Sequence, residues 1–232
     1  MSATTHTTHT THTTTVPQAT TDASVAAPTS GTASAPTGGT ASDRPASNGR
    51  HPVEMLKRRW PTALAVALVI LTTADGSGEL ADTVGAFGDA LPLLPLLYVI
   101  IHQVGNPRVT WPVLGAGVAA MVALGAQDVV SQPVALVAIA LAVLVWGAVR
   151  GTPHGRATFG VQAAGAFGFG ALALVGLVVD PDLGRYLVAT GWFFHGVWDF
   201  VHLKLDKVVA RSFAEWCGVV DVLIAVHLLF LL

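Results

Sequence analysis

From Trp60 onward the chain alternates long apolar runs with short breaks of Gly, Pro, Asp and Arg. The runs cover residues 60–74, 84–104, 109–126, 132–149, 157–179, 185–203 and 214–232, and each reads as a helix. A bilayer core takes about 20 apolar residues of helix, so the pattern predicts about seven crossings, some of them short. Pro92 and Pro95 interrupt the second run. A proline removes a rung of the helix, so this run is expected either to kink or to begin as a partly polar re-entrant stretch around Glu79 to Ala90. A six-helix alternative drops the first or the second run.

The first 52 residues are the reverse: Thr, Ser, Ala, Pro and Gly, with no aromatic residue and almost no large aliphatic one. Nothing there offsets the entropy of ordering, so the expectation is a disordered tail followed by a polytopic membrane domain over residues 53–232. The apolar core of a signal peptide is missing from the tail. His6, His9 and His12 form HTTHTTH, which reads either as a loose site for a divalent transition metal or as low-complexity drift.

Composition sharpens the class. Of 232 residues, 52% are hydrophobic and 11% charged, and the mean hydropathy is +0.61. Soluble domains carry roughly 25% charged residues, so this chain is read as an all-α integral membrane protein. A net charge of −2 argues against nucleic acid as a partner. One cysteine, Cys217, excludes an intrachain disulfide.

Charge also orients the crossings. With the basic stretch Lys57, Arg58 and Arg59 on the cytoplasmic side and seven crossings, eleven of the twelve basic residues fall inside and Arg185 alone outside. That asymmetry follows the positive-inside rule and predicts a cytoplasmic N-terminus and an outer C-terminus. Nine Arg against three Lys, with abundant Ala, Gly, Val and Leu, suggests a high-GC bacterium and hence its plasma membrane.

Ionisable groups inside a span are costly and mark candidate sites. His195, Asp199 and His202 stand at i, i+4 and i+7 of the sixth run, which places them on one narrow helix face. In the seventh run Cys217 and Asp221 share a face, with Glu215 nearer the membrane edge. Counting inward from the loop pairs His202 with Glu215, Asp199 with Cys217 and His195 with Asp221 in depth. His102, Gln103 and Gln162 lie at comparable depth, whereas His227 lies towards the other end.

Three readings of this cluster stay open. His195, Asp199 and His202 would ligate one divalent metal, zinc first, with Asp221 as a further ligand or base and Glu215 beside it. A metal there suits hydrolysis of a lipid-like substrate reached from the bilayer. The same groups would otherwise relay protons or ions in a carrier, or simply join two helices in a scaffold by hydrogen bonds. Cys217 is either a ligand or a small buried apolar residue. Gly160, Ala164 and Gly168 form a small-residue stripe that suits helix packing or a homo-oligomer. There is no phosphate loop, dinucleotide fingerprint, HExxH or GxSxG, which argues against ATP-driven transport and zincin-type proteolysis.

Overall fold

The computed structural model describes residues 59–73, 78–127 and 129–230. The tail with its three histidines, and Asp75 and Asp128, lie outside the described residues. Helices occur where the apolar runs are: α1 Trp60–Thr73, α2 Leu80–Ala90, α3 Leu93–Val104, α4 Thr110–Gly125, α5 Gln132–Arg150, α6 Gly155–Val178, α7 Pro181–Leu205 and α8 Arg211–Phe230. No strand occurs among the described residues.

Local chemistry sets the breaks. Pro92 has no N–H to continue the ladder, so α2 stops at Ala90 and α3 starts at Leu93. The second run is thus two helices joined by a proline break, and its first part is helical throughout. Asp180 caps α7 by accepting from the Leu183 amide at 3.1 Å, with Pro181 in the first turn, where neither feature sacrifices a bond. The Thr72 and Thr73 hydroxyls bond back to carbonyls of α1 at 2.8–3.1 Å, which satisfies them without water.

Residues 91 to 99 are all buried, so α3 is the central helix, packed by α4, α5 and α6. Helix α8 packs most extensively on α7 and then on α1. By contrast, α4 is peripheral and apolar on its open faces, with Val122 66% exposed. A surface so apolar suits lipid and not water.

Five segments among the described residues are long and apolar enough to cross a membrane: Leu80–Val104, Pro107–Gly125, Gln132–Arg150, Gly155–Val178 and Arg211–Phe230. Helix α1 falls short in length at 14 residues. Helix α7 has the length but not the hydropathy, because it carries His195, Asp199 and His202. One end of the bundle gathers Arg59, Arg108, Arg150, Arg156, Lys204, Lys207 and Arg211. Contacts there confirm which helix ends meet: Arg59 with Glu215, Trp60 with Trp111, and His102 with His154. We call this the basic end, and the opposite one, with Asp82, Asp180 and Asp182, the acidic end.

Candidate functional site

Helices α7 and α8 meet at two glycines. A Cβ on Gly196 would stand 3.2 Å from the Gly218 carbonyl and 3.2 Å from the Asp221 Cβ, and one on Gly218 would stand 3.2 Å from the Asp199 Cβ. The backbones therefore approach closely at mid-helix. His195 and Asp199 lie one turn apart on α7, Cys217 and Asp221 one turn apart on α8, and the glycines press the two pairs together.

The four side chains are fully buried, and their ligand atoms lie within 4.8 Å of one another. His195 Nδ1 is 2.7 Å from Asp221 Oδ2 and 3.3 Å from Asp199 Oδ2. A carboxylate only accepts, so Nδ1 carries the proton and donates it to Asp221. Cys217 Sγ donates to Asp221 Oδ1 at 3.8 Å. From α3, the Tyr98 hydroxyl donates to Asp199 Oδ1. The Phe169 ring of α6 stands edge-on to His195 at 5.0 Å and walls off the α6 side.

Two polar atoms of the group, His195 Nε2 and Asp199 Oδ2, have no hydrogen-bond partner among the described residues. Two carboxylates buried together in apolar surroundings need a compensating cation, either a proton or a metal. Imidazole nitrogen, carboxylate oxygens and a thiolate form a donor set that zinc accepts. Bonds of that kind around a tetrahedral ion separate the donors by about 3.3–3.8 Å. Two pairs, His195–Asp199 at 3.3 Å and Cys217–Asp221 at 3.8 Å, already stand at such separations, whereas the His195–Asp221 pair at 2.7 Å would open by about half an ångström as the Nδ1 proton leaves. The group thus fits such an ion after a small adjustment.

The structure places the remaining candidates elsewhere. His202 stands one turn past Asp199 and has both nitrogens engaged: Nδ1 donates to the Trp198 carbonyl at 2.9 Å, and Nε2 accepts from the Gln162 amide at 3.0 Å. It is not part of the four-residue group. Glu215 lies outside the group as well: its carboxylate accepts from Thr62 at 2.7 Å and Arg59 at 3.2 Å and pins α8 to α1 at the basic end. Of the depth pairs, His195–Asp221 is a direct contact. His102 faces His154 and Phe159, and His227 stands edge-on to Phe87. Tyr98 is the member that sequence reasoning missed; its signal was a phenol alone in the run LLPLLYVII.

Two cavities lie near the group, and one of them reaches it. One of about 600 Å³ lies among α1, α2, α4 and α8 and ends on Cys217 and Asp221. A second, of about 550 Å³, lies between α6 and α7 and touches Gln162, Trp198, His202 and Lys207. Comparison with protein-family models, curated proteins and solved structures returns no match. What the site and fold define is an all-helical, membrane-type protein with a buried His/Asp/Cys cluster able to hold a metal ion.

Proposed function

We propose that this is a plasma-membrane metallohydrolase acting on a lipid-like substrate. His195, Asp199 and Cys217 would hold one divalent ion, zinc first, with Asp221 as base beside a fourth position left open to water. The observation that carries this reading is the convergence of these four buried side chains, two of which, Cys217 and Asp221, line an apolar cavity. Bound there, the ion would supply acidity to water and polarise a carbonyl. The charge asymmetry of the two ends supports seven crossings with the basic end cytoplasmic, as in a bacterial membrane. Gly160 and Gly168 have nothing within 4 Å of a built Cβ, which supports the small-residue face of α6 as a contact for a second copy.

The test is release of fatty acid from long-chain esters by purified protein. Activity should vanish on chelation, return with zinc, and be absent from Asp199→Ala at matched folding. Activity that chelators leave untouched would contradict a metal mechanism.

One observation favours a second reading. One cavity ends on Asp221 of the polar group, and another ends on His202, one turn beyond Asp199, a succession of polar groups that suits a proton or ion carrier. Proton uptake into proteoliposomes, lost in Asp221→Asn, would favour the carrier over the hydrolase.

A further inference from the structure

Two tryptophans line the cavity that ends on Asp221, and their indole N–H groups differ. Trp192 Nε1 donates to the Phe87 carbonyl at 3.0 Å. Trp216 Nε1 is buried and has no partner among the described residues. Its ring packs on Trp111 at 5.6 Å and on Phe213 at 6.1 Å, so it is held in place beside Cys217. An indole N–H only donates, and leaving it unmet in a buried site is unfavourable. A ligand with an acceptor oxygen would meet that need.

The rest of the cavity says what carries the oxygen. The wall is mostly apolar, with Leu68 on α1, and Leu114, Val118 and Met121 on α4. At the basic end α1 and α4 are closed together by Trp60 on Trp111, 5.7 Å between rings. Farther along, Leu68 and Val118 are 36% and 43% exposed although they line the cavity, so this side opens towards lipid. The acidic-end rim is polar, with Asp82 and Thr83, and admits water. A volume of about 600 Å³ is that of a small-ligand pocket and takes one chain, not a two-chain lipid. Beside the carboxyl of Asp221 a neutral carbonyl is favoured over a carboxylate.

We propose that this cavity binds a single-chain lipid ester, admitted between α1 and α4, with its carbonyl oxygen hydrogen-bonded to the Trp216 indole N–H. The chain lies along Leu68, Leu114 and Val118, and the ester stands beside Cys217 and Asp221. This names the substrate class of the hydrolytic site proposed above and rests on that reading for its chemistry, whereas the binding itself does not need the ion.

Quenching of tryptophan fluorescence tests it on the full chain held in amphipol. The probes are methyl 9,10-dibromostearate, the corresponding free acid, and 9,10-dibromooctadecane. The wild type should half-saturate with the ester at about tenfold lower concentration than with the hydrocarbon, the worth of one hydrogen bond otherwise unmade, and with the acid in between. Trp216→Phe should abolish the preference for ester, with Trp192 still reporting. Ala86→Phe, which fills the cavity from an exposed position in its lining, should abolish saturable quenching with the helical circular dichroism unchanged. Equal binding of ester and hydrocarbon, tighter binding of the acid, or an ester preference that survives Trp216→Phe would overturn the assignment. Repeating the titration on chelator-treated protein separates the two claims. Ester preference should persist after chelation; protein that shows it but carries no ion when prepared without chelators sinks only the metal reading, whereas a bound ion without ester preference sinks only this one.

Discussion

His195 on α7 and Asp221 on α8 meet at 2.7 Å because Gly196 and Gly218 leave no side chain between the two helices. The contact places an imidazole between two buried carboxylates, since Asp199 approaches the same nitrogen at 3.3 Å. The chemistry of the site depends on that backbone approach as much as on its ligands.

Widening the approach should therefore dismantle the site. A Cβ on Gly218 would already stand 3.1 Å from the Phe200 ring, so Gly218→Leu should cost about 1–3 kcal/mol by overpacking. The expected readouts are a lower Tm in detergent and loss of bound metal. Gly115→Leu, a site with open space around it, should change neither. Equal behaviour of the two variants would show that the glycine contact does not form the site.

Tyr98 supports Asp199 from a third helix. Its hydroxyl is the sole hydrogen-bond partner found for that carboxylate among the described residues. Tyr98→Phe should lower metal affinity about 10–100-fold, as loss of an outer partner of a ligand does, while the helical signal persists. A metal competition titration with a chromophoric chelator reads this. Unchanged affinity would remove Tyr98 from the account.

His202 should prove dispensable for the ion. Both of its nitrogens are taken, by the Trp198 carbonyl and the Gln162 amide. His202→Ala should keep the metal and lose about 1 kcal/mol or more of stability from the broken bond to Gln162. In a double-mutant cycle His202 and Gln162 should couple, whereas His202 and Asp221 should not. Metal loss on His202→Ala would restore it as a ligand.

Glu215 should matter little. Its partner Arg59 is 71% exposed, and exposed ion pairs contribute about 0–1 kcal/mol. Glu215→Gln is expected to keep the hydrogen bond from Thr62, the metal content and any ester hydrolysis. A variant that folds but loses hydrolysis would place Glu215 in the chemistry after all.

Much of this was legible in the residue pattern. Apolar runs and their Pro, Gly and Asp breaks locate the helices within a few residues, because each break has a local cause, such as Pro92 or the Asp180 cap. Periodicity placed His195 and Asp199 on one face, and counting from the α7–α8 loop matched His195 with Asp221 in depth. Depth does not say which faces meet. The rotation of α7 against α8 is decided by Gly196 and Gly218, which look like any other small residues in a membrane helix. The same limit applies to His202: it shares a face with Asp199, yet it lies far enough round to meet Gln162 on α6. Tyr98 was invisible because it comes from α3, about a hundred residues earlier, and no spacing rule links it to Asp199.

The most direct measurement is metal content by plasma mass spectrometry on untagged, full-length protein prepared without chelators. His6, His9 and His12 are replaced by alanine, so that the tail contributes no metal. The account predicts about one zinc ion per chain, lost in Asp199→Ala and kept in His202→Ala. Folded protein with no stoichiometric metal would contradict it, and would leave the buried group as a proton site or a helix-joining network.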